Sequence, residues 1–142
     1  MKLLIAVVIL QLAVVAVCRK EQKETQDHLE GGFGPVDVKS SELKNVKWAA
    51  IKEINAKSSE LNNLMPVEIL KAERQPVGGF NYRLDIKVVE GDCPKSTYTQ
   101  EKLKANLCKK KKGGKSFVYT VLIYESSINK FDKITIEKVK SL

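Results

Sequence analysis

A chain of 142 residues, 43% apolar and 30% charged, has room for one small globular domain. A single histidine, His28, leaves no Ser/His/Asp set, and the sequence holds no phosphate loop or metal cluster, so no catalysis, cofactor or metal is expected. The net charge is +8, but no aromatic residues interleave with the lysine run, which argues against nucleic acid as a partner.

The first eighteen residues have one basic residue, Lys2, followed by apolar runs from Leu3 to Leu10 and from Leu12 to Val17. This is the pattern of a secretory signal peptide, too short for a membrane span, which needs about 20 apolar residues. Residues 1–18 are therefore read as a leader, cleaved after Cys18, with Ala16 the alternative site. The mature protein is expected to be extracellular, without a membrane span. Loss of Lys2 lowers the net charge by one. If Cys18 leaves with the leader, only Cys93 and Cys108 remain, and an oxidising route pairs them in a disulfide.

Residues 19–30 are polar and charged and are expected to be mobile. Residues 31–142 form the domain. Gly31, Gly32, Gly34 and Pro35 exclude regular structure at its start. Leu43, Val46, Ala50 and Ile54 make one apolar stripe on a helix from about Ser41 to Lys57, capped by Ser40 or Ser41. Trp48 falls off the stripe and reads as half-exposed packing. Ser58 to Asn63 is a polar break. Val67 to Glu73 reads as a strand. Beyond Arg74-Gln75-Pro76-Val77-Gly78-Gly79, residues Phe80, Tyr82, Leu84, Ile86 and Val88 alternate with mostly polar neighbours as a second strand. Gly91-Asp92-Cys93-Pro94 ends it. A short helix is expected around Gln100 to Asn106. Lys109 to Lys112 and Lys115 form a basic loop, either solvated or offered to an anionic surface. Phe117, Tyr119, Val121 and Ile123 make a third strand, Ser126 to Asn129 a turn, and Phe131 to Val139 a fourth strand. The fold class is α+β: one long helix packed on a curved antiparallel sheet. Its core should include Leu43, Val46, Ala50, Ile54, Leu84, Ile86, Tyr119 and Val121.

The turn between the first two strands is apolar in a highly charged chain, which is reason to look there for a contact surface. It has the form Gln-x-Val-x-Gly, with Gln75, Val77 and Gly79 in the fixed places. With the helix and glycine-rich segment before it, and a cysteine beyond it, the chain resembles the cystatins. Ile54-Asn55-Ala56-Lys57-Ser58 also looks like the helix end of secreted members. The resemblance implies a monomeric, reversible, tight-binding inhibitor of papain-like cysteine proteases, papain-type or cathepsin L-type. Three segments would fill the protease cleft: Gly31 or Gly32 in an N-terminal trunk, the hairpin Gln75-Pro76-Val77-Gly78-Gly79, and a second turn. Leu29 and Glu30 would then precede the trunk glycine; Gly34-Pro35-Val36-Asp37 is an alternative match.

The chain departs from the family in three places. Ser127 and Ile128 stand where a Pro-Trp pair is usual, removing a large aromatic anchor of the kind that dominates interfaces. The mature chain has cysteines for one disulfide, where secreted vertebrate members have two, which is closer to invertebrate members. Ser59 occupies the place of the asparagine that some members direct at legumain, so no legumain inhibition is expected. A non-inhibitory binding protein, using the basic loop on anionic surfaces or glycans, is the alternative reading.

Overall fold

The computed structural model describes residues 32–128 and 130–142. The expected leader, segment 19–30, Gly31 and the turn residue Asn129 lie outside the described residues. Helix α1 spans Leu43–Lys57 and buries the expected stripe, with Ile51 added to it. Neither serine is its N-cap. Glu42 stands at that position in helical conformation, without a side-chain cap bond. The serines instead form the turn before it, where the carbonyls of Ser40 and Ser41 accept the amides of Leu43 (3.2 Å) and Lys44 (3.1 Å). At the other end Ser58 is extended while its amide still donates to the Ile54 carbonyl, so the chain passes straight into the sheet.

The sheet holds β1 (Gly34–Pro35), β2 (Asn62–Pro76), β3 (Gly79–Pro94), β4 (Ser116–Ser126) and β5 (Phe131–Ser141) in that spatial order. Every neighbouring pair is antiparallel. This is an α+β fold with one more strand than the sequence predicts. Gly34 and Pro35 pair with Arg74 and Glu73, although glycine and proline exclude a strand by propensity. An edge tolerates proline because its missing donor faces outward. The Val36 amide then donates to the Ala72 carbonyl at 2.9 Å.

β2 begins at Asn62, within the expected polar break, because the asparagines there have fixed partners. Asn62 donates to Glu90 at 3.0 Å, and buried Asn63 donates to the carbonyls of Cys93 and Tyr98. Asn55, on α1, pairs with both backbone groups of Leu64 at 2.7 and 3.0 Å. β3 likewise runs through Gly91 to Pro94, with Gly91 bridging to Lys110. The short helix α2 covers Gln100–Lys104.

All eight expected core residues are buried between α1 and one face of the sheet, together with Ile51, Leu64, Ala72, Tyr82, Val88 and Ile123. The period of two along β3 delivers Tyr82, Leu84, Ile86 and Val88 to that face. The Cys93–Cys108 disulfide closes a 15-residue separation beside α2, with Cα atoms 5.7 Å apart, an ordinary spacing. Trp48 is partly buried between the main core and this smaller cluster. Its carbonyl accepts from Gln100 at 2.9 Å.

Candidate functional site

Three connections meet at one end of the sheet. Pro76 and Phe80 form the last pair of the β2–β3 hairpin, leaving Val77, Gly78 and Gly79 to turn the chain. The Val77 amide donates to the Gly79 carbonyl at 3.0 Å. Gly79, the fixed glycine of the motif, is free to take a positive φ. It is Gly78 that adopts one, at 73°. Gly79 is required for a different reason: a Cβ there would collide with the backbone oxygen of Glu125 in β4. That close approach matches the register, in which Gly79 faces Ser126 and Phe80 faces Glu125. The first hairpin tip therefore lies beside the start of the second turn.

The second turn is closed by Ser126, whose amide and hydroxyl both donate to the Lys130 carbonyl, at 2.8 and 3.3 Å. Ser127 and Ile128 stand exposed beyond it, Ile128 at 67%. The third segment follows from direction. Gly34 faces Arg74 and Pro35 faces Glu73, so the antiparallel chain preceding them, Phe33 and then Gly32, heads to the same end. The structure thus gathers Gly32, the hairpin Gln75–Gly79 and the Ser127-Ile128 turn. Val77 and Phe80 join Ile128 as exposed apolar side chains there.

The tip is braced from both faces. On the helix side, Arg74 donates to Glu42 at 2.8 Å, and its guanidinium lies 4.7 Å from the centre of the Phe80 ring. Phe80 in turn meets Tyr82 at 6.1 Å between ring centres. Burial pushes the Tyr82 phenol upward in pKa, with Arg74 acting in the opposite direction. On the outer face, Asn81 donates to the side-chain oxygen of Gln75 across the hairpin at 3.4 Å. Gln75 is therefore oriented within the hairpin before it meets a partner. Sequence reasoning missed Glu42 and Arg74 as site supports, because their partnership spans 32 positions.

The basic loop lies at the opposite end of β3 and is less free than its composition suggests. Glu90 is buried, at 6% exposure. It accepts from Lys111 at 2.9 Å, from Asn62 at 3.0 Å and from the Lys115 amide at 3.3 Å. The Lys111 bond leads these in holding its carboxyl below the usual glutamate range. Lys115 pairs with Glu60 at 2.9 Å. That leaves Lys109, Lys110 and Lys112 exposed, without an ion pair among the described residues. Nearby, Asp92, Cys93 and Cys108 place three metal-type ligand atoms within 4.8 Å of one another, but both sulfurs are committed to the disulfide. Ser59 also falls far from the hairpin tips, in the link between α1 and β2. Among the described residues no helix is long and apolar enough to cross a membrane.

Comparison with known proteins bears on the fold and the family. The Cystatin domain family matches residues 31–123. Cystatin cpi-1 of Caenorhabditis elegans is 34% identical over 115 residues, which are 80% of this chain and 81% of that protein. Onchocystatin of Onchocerca volvulus is 31% identical over 121 residues, 84% of this chain and 74% of that protein. Among solved structures, the crystal structure of Al-CPI superposes with a TM-score of 0.68 at 29% identity, covering 79% of this chain and 100% of that one.

Proposed function

Because the chain belongs to the cystatin family, we propose that it is a secreted, monomeric, reversible inhibitor of papain-like cysteine proteases, of the papain or cathepsin L type. It acts by occupation of the cleft and not by catalysis. The observation that carries this reading is the convergence of Gly32, the first hairpin and the second turn at one end of the sheet. The trunk, with Gly31 and Gly32, lies along the non-primed side of the cleft. Gln75, Pro76, Val77, Gly78 and Gly79 cover the catalytic cysteine. Ser127 and Ile128 take the primed side.

The physics of docking favours this arrangement. Val77, Phe80 and Ile128 are apolar and exposed, so their burial against a protease releases water. The hairpin is fixed by Arg74, Asn81 and the neighbouring β4, so little ordering cost falls on binding. Ile128 offers less surface than an aromatic anchor, so affinity on the primed side is reduced.

Titration of papain and a cathepsin L-type enzyme tests the reading. Nanomolar, reversible inhibition is expected, with Val77→Asp weakening it at least a hundredfold. Correctly folded protein without effect at micromolar concentration refutes it. The second reading, a non-inhibitory protein bound to sulfated glycans or other anionic surfaces, rests on Lys109, Lys110 and Lys112, which have no ion pair among the described residues. Retention on a sulfated matrix lost on converting these three to glutamine, in a chain that does not inhibit, would favour it.

A further inference from the structure

The outer face of the sheet carries a three-residue relay that the cleft-filling segments do not include. Thr120 faces Lys138 and Val121 faces Ile136, so Glu137 has no opposite residue and is the extra residue of a bulge in β5. Bulges re-aim side chains. This one sends Glu137 across β4 to β3, where its carboxylate accepts from Arg83 Nε at 3.1 Å. The Arg83 guanidinium then lies 4.3 Å from the centre of the Phe33 ring. Phe33 immediately follows Gly32, and the β1 pairing that holds it covers only two residues. So short a strand aims the preceding chain at the hairpin end but holds it there with few bonds.

We propose that Arg83, held by Glu137 and stacked on Phe33, is a positioning residue that sets the direction in which the chain at Gly32 leaves the sheet. This rests on the inhibitor reading above. A guanidinium pinned at its Nε keeps its plane fixed, and a fixed plane gives an aromatic ring one favoured seat. Phe33 so seated fixes the chain immediately after Gly32. A protease then meets Gly32 already placed, and less of the segment has to be ordered on docking.

The test pairs Arg83→Met, which keeps the aliphatic stem, with a shortened chain beginning at Phe33. In the full chain, dissociation of the papain complex should quicken about ten-fold, with association nearly unchanged. Arg83→Lys should recover part of the loss. In the shortened chain, Arg83→Met should change nothing. Equal weakening of both chains, or no weakening of the full one, overturns the proposal. If the unmodified protein does not inhibit papain, the inhibitor reading fails, and the relay is judged by amide exchange instead. The Val36 amide should then exchange about ten-fold faster in Arg83→Met while the β2–β3 ladder is unchanged; equal exchange rates overturn the relay itself.

Discussion

The two adjacent glycines of the first hairpin should fail in different ways when replaced. Gly78 has φ 73° and nothing within 4 Å of a Cβ. Alanine there pays only for left-handed backbone, about 1–2 kcal/mol, and asparagine, which tolerates that region, costs a few tenths. Gly79 has an ordinary φ, but its Cβ would strike the Glu125 backbone oxygen and come within 3.1 Å of Ser126 Cα. Backbone cannot rotate away as a side chain can. β4 must retreat by about 1 Å to restore contact distance. The retreat strains the Gly79–Ser126 and Phe80–Glu125 pairs, so two ladder bonds are at risk at about 0.5–1.5 kcal/mol each. Gly79→Ala should therefore cost about 1–3 kcal/mol, and Gly79→Asn at least as much. Urea unfolding, followed by fluorescence of the single tryptophan, Trp48, measures this directly. Papain inhibition should fall in step for the Gly79 variants and survive in Gly78→Asn. A Gly79→Ala protein within 0.5 kcal/mol of the parent, or a Gly78→Asn protein equally destabilised, refutes the reasoning.

Glu90 should make stability depend on acid. Its folded pKa is lowered, so its contribution is fully present above the ordinary glutamate range and is lost as pH falls through the lowered value. Glu90→Gln should cost about 1–3 kcal/mol at neutral pH and flatten the acid limb of the unfolding midpoint against pH. Replacing both Cys93 and Cys108 by serine should cost about 3 kcal/mol, from the entropy of a loop of that length, read as a lower denaturant midpoint. Ile128→Trp, restoring an aromatic side chain at the second turn, should tighten papain binding about ten-fold through slower dissociation, measured by surface plasmon resonance.

The parts legible in the sequence are those whose signal is periodic. The α1 stripe and the alternation along β3 announce themselves because one face of each meets one core. The hairpin tip was legible from chemistry, as an apolar turn in a charged chain. β1 was illegible because two residues hold no period, and pairing to Arg74 and Glu73 overrides glycine's and proline's own preferences. The early start of β2 was hidden because its asparagines resemble loop residues until Glu90, Cys93 and Tyr98 supply partners. Lys111 is exposed like its neighbours in the lysine run, and only its bond to Glu90, distant in sequence, sets it apart. The bulge at Glu137 left one faint trace, since Ile136 is followed by Val139 at a spacing of three, where an unbroken strand keeps two.

β5 is the last of the described strands, yet Phe131, Ile134 and Ile136 pack against the core that α1 begins. The helix precedes every long strand of the sheet in the chain, and part of its cover comes from β5, which follows all the other described strands. Hairpin pairings between consecutive strands form locally and quickly, while the helix face waits for a distant partner. The apolar stripe from Leu43 to Ile54 is therefore incompletely covered until β5 is in place. Completion of this core therefore waits for β5, and substitutions in β5 should lower the yield of soluble protein more than the loss of their own contacts explains.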